Sequence, residues 1–486
     1  MPNRTGVIDI SSSIAALTQG ILGQSLSRKG NLPSDTVWTN ALLNIESFGG
    51  VGDGLTDNSA ALNQALANLP AGGGGIYFPR GKFVFSSKIL FAYTNANQSV
   101  MFVGDGQNNT ELCWPLTDGI LFTLKDTTTT FHARNLAFTT GTTELREGIR
   151  LSVPGTNANG ALGEYSDFNG VVFRGSDGYA KNFGWKTGLV IDNVSNVNVD
   201  GSSFIGTGAS RGYGIRVSGN SNDSFAVVYN FSKSSWVHLE VGVEYGSYVQ
   251  GMTISQCNFT ATTNGVIVPA TAVGILSQLT IVASQFAPNP DANGASINIM
   301  TGVNPLTIAD NLFLSNGGGT QINLAAHSFT SISGNVLYSP SPNNNTAVNM
   351  GTGASSTKVA DNVVFGFALG LALPNTTSNA SITNNAMVGN TQSISFNSTN
   401  TNANRMTGNS GFQPQIPVAQ SVSSSPWTYA SPGLPANVYI TGGTVSSVKV
   451  DGVTIATSAP GCVPLEPNQV ISVTYSSVPS IVIGIR

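Results

Sequence analysis

Between residues 168 and 387, apolar residues recur as pairs set five positions apart. The pairs are Phe168 and Phe173, Val199 and Phe204, Ala226 and Phe231, Ile254 and Phe259, Ile281 and Phe286, Ile308 and Phe313, Ile332 and Leu337, Val359 and Val364, and Ile382 and Met387. Their first members lie 23 to 31 residues apart, the length of one repeat in a solenoid that stacks each turn on the last. A second register accompanies the first: GIRL from 148, GLVI from 188, GIRV from 214, GVEY from 242, GVIV from 265, SINI from 296, QINL from 321, VNM from 348, GLAL from 370 and SISF from 393. Alternating apolar positions predict strands with one face inward. Two strands per coil then predict a stacked parallel β-helix. Three residues after the first anchor stand Ser284, Asn311, Asn335, Asn362 and Asn385. An amide both donates and accepts, so one asparagine per turn predicts a structural ladder along the stack.

The ends depart from this repeat. Residues 7 to 28 place Ile14, Leu17, Ile21 and Leu26 at spacings that suit a short coiled coil or a packed helix; too short to stand alone, it is expected to bundle with sister chains or a larger partner, the alternative being a helix docked on its own domain. Within residues 48 to 85, Asp57 precedes Ala61, Leu62, Ala65, Leu66 and Leu69 on one helical face, and Pro70 with Gly72 to Gly75 closes the helix before a β-rich run. After Asn409 the repeat fades. Pro414, Pro417, Pro426, Pro432 and Pro435 mark a linker, and residues 437 to 486 read as short alternating strands with Gly and Pro turns. The chain is thus expected to be all-β, with an N-terminal helical attachment segment (1–40), a solenoid (41–413) and a small C-terminal β-domain (414–486) for capping or trimerisation.

Composition narrows the partners. Charged residues are 9% of the chain, against about 25% in an average globular protein, so the polar load falls on short uncharged side chains. Lys and Arg number 20 against 24 acids, which leaves no basic field for nucleic acid and favours a neutral, hydroxyl-rich ligand. Cys113, Cys257 and Cys462 have no metal-ligand or disulfide spacing and are expected to be buried thiols. No cofactor or metal is implied. No run of 18 apolar residues occurs, and the opening MPNRTGVIDISSS lacks the charged and apolar regions of a signal peptide, so synthesis in a cytoplasm without membrane insertion is expected.

Candidate chemistry gathers in the first half of the solenoid. Ten of the 24 acids lie between Glu144 and Glu244, whereas residues 250 to 412 hold only Asp291, Asp310 and Asp361. The same half carries long excursions and the aromatic residues Tyr165, Tyr179, Phe183, Trp185, Tyr213, Trp236 and Tyr245, whose rings suit stacking on sugars. By register, Asp167 and Asp200 face outward on neighbouring coils, and in the second register Arg216 stacks beside Glu244 with Asp192 close by. Paired carboxylates are what glycoside hydrolysis requires. Asp167, Asp200 and Glu244 are therefore the expected pool for the acid and base, with Glu240, Asp177 and Asp192 as substitutes. Substrate binding is assigned to Arg216, Trp185, Tyr213, Trp236, His238, Glu240 and Tyr245. His238 with Arg216 would also suit β-elimination from a uronate.

A family resemblance adds to this reading. GDGLTD (52–57), a short helix, then GGGGIYFPRGKF (72–83) and SVMFVGDGQNNTELCW (99–114) resemble the N-terminal signature of pectate-lyase-like right-handed β-helices, bacteriophage tailspikes above all. In that family, positions matching Asp53 and Asp57 are turn and cap residues. The C-terminal SSVKVDG and PNQVISVTYSSVPSIV look like the β-domain closing several tailspikes. The resemblance implies a homotrimeric virion protein that binds and cleaves a bacterial surface polysaccharide, O-antigen or capsule, and joins a phage tail or baseplate protein through its N-terminus. A lyase and a non-catalytic glycan receptor remain open beside the hydrolase.

Overall fold

The computed structural model describes residues 26–28, 36–38 and 42–485 apart from 156–163, 209–210, 222–225, 290–293, 316, 318, 326, 341–344, 353, 375, 397–404, 411–416 and 432–434. Each coil of the solenoid passes through three strands, as in Ser166–Asn169, Val172–Gly175 and Thr187–Asp192, before the next coil begins at Val197–Asp200. Stacked in parallel, these build three long sheets, of 14, 13 and 12 strands among the described residues. We refer to them as the first, second and third sheets in the order the chain visits them. The expected two strands per coil become three because each five-residue pair straddles a corner, with one member in the first sheet and the other in the second. A residue with positive φ marks that corner in successive coils, among them Gly170, Gly201, Asp310, Gly334, Asp361 and Asn384. Gly, Asn and Asp tolerate that conformation best.

The residue after the corner forms the predicted ladder. Asn311, Asn335 and Asn362 each donate through Nδ2 to the Oδ1 of the next, the last to Asn385, at 2.9–3.0 Å, and Asn385 continues to Asn409. All are buried or nearly so, where an unpaired amide would be costly and a laddered one is satisfied. Ser202, Ser234 and Ser284 occupy the same position in earlier coils.

The core is a column of side chains running the length of the solenoid. Its most regular part is a stack of rings, Phe138, Phe173, Phe204, Trp236, Phe259, Phe286 and Phe313, with centroids 4.7–5.6 Å apart. This explains the glycine near the start of so many third-sheet strands. A Cβ at Gly214 would lie 2.3 Å from the Trp236 ring, and one at Gly242 would lie 2.7 Å from Phe259. The rings fill the space a side chain would need.

One coil is read differently by the structure. Val199 pairs with Phe231 and then Ile254 in the first sheet, while Phe204 pairs with Trp236 and then Phe259 in the second. The pair Ala226 and Phe231 is therefore displaced by five residues, and the real pair is Phe231 and Trp236. The strand Ala226–Ser232 is long and offers several inward apolar residues, so a local pattern cannot choose among them.

The helix Ser59–Ala67 covers the first coil with Ala61, Leu62, Ala65 and Leu66 buried. Asp57 accepts from the Ser59 and Ser86 amides, and Asp53 from those of Leu55 and Thr56, consistent with structural duties. Of the helix expected over residues 7 to 28, the stretch to 25 lies outside the described residues, and Leu26–Arg28 is instead a strand paired antiparallel with Thr36–Trp38. Beyond the solenoid, two four-stranded antiparallel sheets enclose a second core that includes Val438, Ile440, Leu465, Ile471 and Val473. Cys113 and Cys257 are buried as expected, but Cys462 is exposed because it faces outward on an edge strand of that unit.

Candidate functional site

Asp167 and Asp200 lie where the register put them, on neighbouring first-sheet strands, with Asp167 opposite Asn198 and Asn169 opposite Asp200. Their surroundings differ from what an acid and base need. Asp167 is bonded to His132 Nδ1 and lies 3.3 Å from Arg134 Nε. Burial works to raise its pKa, yet the bonds from His132 and Arg134 outweigh it and hold the carboxyl below its ordinary value. Asp200 accepts from Ser232 Oγ at 2.6 Å and from Asn169 Nδ2 at 3.4 Å. Glu244 sits on a different sheet, so the three expected catalytic acids do not form one constellation. His132 was missed, although the repeat carried one coil back, to Ala133 and Phe138, places it directly opposite Asp167.

The third sheet carries a more developed arrangement. Its outward column runs Arg150, Val190, Arg216, Glu244 and Ile267, as the register predicts. Arg216 donates to Glu244 Oε1 at 3.0 and 3.2 Å, and Arg150 reaches Asp192 at 3.3 Å and Glu147 at 2.7 Å. Arg150, Asp192, Arg216 and Glu244 line a groove of about 340 Å³, with Ser218, Ser247, Pro269 and Thr271 on its walls. A row of alternating charges beside hydroxyls gives an oligosaccharide many hydrogen-bonding partners without a net field.

Beside this groove, at the entry to the strand Val241–Tyr245, stands Glu240. Its backbone N–H is held by the carbonyls of Arg211 and Gly212, but its carboxylate has no hydrogen bond or ion pair among the described residues. Burial raises its pKa, and the nearby negative charges of Glu144 and Glu244 raise it further. Burial raises the pKa of Tyr213, the charges of Glu240 and Glu244 raise it further, and Arg216 lies over its ring at 4.8 Å. Glu144 is buried in the connection between the strands Ala137–Thr140 and Glu147–Ser152, where it accepts from Thr207 Oγ1. No sequence periodicity marks it, because it lies in an irregular excursion. One carboxyl biased toward its neutral form, near another bonded to an arginine, is the division of labour that acid–base chemistry needs.

His238 lies in the turn just before Glu240, with Nε2 3.5 Å from Lys181 Nζ. Burial and the lysine charge both lower its pKa, leaving a neutral imidazole. Asp177 caps its own loop by accepting from the Asn182 amide. Three of the expected sugar-stacking residues are corrected. Trp185, Trp236 and Tyr245 are buried: Trp185 donates to Phe138 O, Trp236 belongs to the ring stack, and the Tyr245 hydroxyl bonds the Val249 carbonyl. Tyr213 remains accessible, as do Tyr165 and Tyr179 in neighbouring excursions.

Comparison with known proteins agrees with this architecture. Residues 42–267 match the family model "Rhamnogalacturonase A/epimerase, pectate lyase-like". Among solved structures, the chain is similar to the Dettilon tailspike protein at 13% identity and a TM-score of 0.55, covering 94% of this chain and 96% of that one. It is also similar to the pre-mature gene product 12 of bacteriophage phi29, at 13% identity and a TM-score of 0.51, covering 76% of this chain and 56% of that one. A glucan 1,3-beta-glucosidase of Cochliobolus carbonum is 28% identical over 104 residues, which are 19% of this chain and 13% of that enzyme. With its parallel three-strand coils, its laddered corners and these matches, the chain has the right-handed parallel β-helix fold, and its residues 42–267 are similar to the pectate-lyase-like family.

Proposed function

We propose that this chain is a tailspike component of a phage virion that binds a bacterial surface polysaccharide and depolymerises it by glycosidic hydrolysis. The observation that carries the reading is the half-buried Glu240, unpaired among the described residues, near the arginine-held Glu244. Glu240 is the general acid, protonating the glycosidic oxygen as the bond to the anomeric carbon breaks. Glu244 is the carboxylate that activates water or attacks that carbon, with Arg216 holding it in place. The groove running past Arg150 and Asp192 holds the flanking sugars, and Tyr213 offers the ring face on which one of them stacks. The fold shared with a tailspike supports the virion assignment, and the short match to a glucosidase supports hydrolysis.

A lyase is the second reading, favoured by the neutral His238 beside Lys181. The two differ in their product. Hydrolysis releases reducing ends without ultraviolet absorbance, whereas β-elimination leaves an absorbing unsaturated end. The test is digestion of purified surface polysaccharides with wild type, Glu240→Gln, Glu244→Gln and Asp167→Asn. We expect reducing ends without absorbance, a loss of about 10²-fold or more for each glutamine variant, and little change for Asp167→Asn. Because the Glu240 carboxyl is raised, wild-type activity should fall as pH rises through that elevated pKa. Full activity in both glutamine variants would remove the assignment, and an unsaturated product would transfer it to His238.

A further inference from the structure

Both guanidinium groups that line the third-sheet groove are already engaged by carboxylates of the protein. Arg150 presents Nε and Nη2 to the two oxygens of Glu147, at 2.9 and 2.7 Å, and Nη1 to Asp192 at 3.3 Å. Arg216 gives Nε and Nη2 to Glu244 Oε1. The forked contact between Arg150 and Glu147 is the one an arginine makes when it receives the carboxylate of a ligand, so Glu147 fills from within the place a uronate would take. Nothing in the strand pattern calls for an acid there. Glu147 stands opposite Thr187, and the next coils put Tyr213 and Val241 in the same column. The charges around this contact are one-sided as well. Asp118 accepts from the Glu147 backbone N–H at 3.1 Å and pairs with Lys88 at 3.3 Å, and at the other end Glu240 lies in the field of Glu244 and Glu144. Acids therefore outnumber Lys88, Arg150 and Arg216 along the groove.

An acidic sugar entering here finds both forks occupied and meets like charge, which costs far more than a neutral mismatch. A hydroxyl or N-acetyl group meets no such barrier. It accepts from the guanidinium N–H groups left over, donates to their carboxylate partners, and reaches Ser218, Ser247 and Thr271 on the walls. We infer that Glu147 is the specificity-determining residue of this groove: by occupying Arg150 it bars uronates and other acidic sugars and reserves the site for an uncharged polysaccharide. The inference rests on the reading of this groove as the polysaccharide site, and adds to it the charge class of the substrate and the residue that sets that class. It also weighs against β-elimination, which needs the uronate that Glu147 excludes.

The probes are a neutral bacterial O-polysaccharide of hexoses and N-acetylhexosamines that wild type cleaves, and the same polymer after its primary hydroxyls are oxidised to carboxylates. The readout is kcat/KM on the oxidised polymer divided by kcat/KM on the parent, a ratio from which any general loss of folded enzyme cancels. Wild type is expected to lose about tenfold or more on the oxidised polymer. Glu147→Gln, which keeps the side-chain volume and gives up the charge, is expected to recover most of that loss, and Asp167→Asn, on the first sheet, to keep the wild-type ratio. Should Glu147→Gln not fold, Asp192→Asn decides: it frees Nη1 of the same guanidinium and is expected to raise the ratio by a smaller factor. A wild type that cleaves both polymers equally, or that cleaves only uronate-containing polysaccharides, would overturn the inference, as would a deciding variant whose ratio stays at the wild-type value. The reading beneath it fails separately, through full activity of Glu240→Gln and Glu244→Gln on the parent polymer.

Discussion

A single residue type does opposite things on the inside and outside of this solenoid. Asn362 is buried at a corner, where Nδ2 donates to the carbonyls of Ile332 and Ala360 and to Asn385 Oδ1, while its Oδ1 accepts from the Asn335 backbone N–H. Asn323 belongs to a second, outward ladder, donating to Asn298 Oδ1 at 2.9 Å and accepting from Asn349 at 2.8 Å. Water can replace the partners of Asn323 but not those of Asn362. Asn362→Ala is therefore expected to cost about 2–4 kcal/mol in urea unfolding, because it strands several buried groups, and Asn323→Ala less than about 1 kcal/mol. The inner ladder was legible from spacing alone, since the corner recurs at one place in every coil. Trp236 and Tyr245 were not. An aromatic residue in a strand reads the same whether its ring points in or out, and only the pairing of neighbouring coils decides which.

Among the elements, the glycine near the start of a third-sheet strand is tied to the aromatic residue at the middle of the second-sheet strand of a nearby coil. Gly242 illustrates the constraint: an added Cβ would lie 2.7 Å from the Phe259 ring and 2.5 Å from the Gly265 carbonyl oxygen. Neither neighbour has room to retreat, one being locked in the ring stack and the other in backbone. Gly242→Ala is expected to destabilise the solenoid by about 1–3 kcal/mol or more, as overpacking does, measurable as a lower urea midpoint with far-ultraviolet circular dichroism. The motifs GIRL, GLVI, GIRV, GVEY and GVIV already displayed the glycine, but the reason for it lies across the coil, more than a strand away. Reading two strands per coil rather than three has the same origin. The corner between the first two sheets takes so few residues that both strands pass for one in the sequence.

At the scale of the whole molecule, the solenoid and the antiparallel unit bury separate apolar clusters that have no residue in common. Independent cores unfold independently unless an interface couples them, so calorimetry is expected to resolve two transitions. Ile471→Ala, in the smaller core, should lower only one of them, by the equivalent of about 2–5 kcal/mol. The length of the solenoid also separates its duties: acids and arginines occupy the early coils, while the corner and outward asparagine ladders run through the later ones. By itself the sequence determined the stacking period, the inward and outward positions along most strands, the corner ladder and the stretch of coils that carries charge. These are properties of spacing, and a solenoid repeats its contacts at fixed spacing. Tertiary structure alone decided that Asp167 and Glu244 face different directions, that Asp167 is committed to His132 and Arg134, and that Glu240 stands near Glu144 and Glu244 with no partner for its carboxylate among the described residues. Those facts depend on irregular excursions between the second and third sheets and on which coil abuts which, and neither leaves a period in the chain.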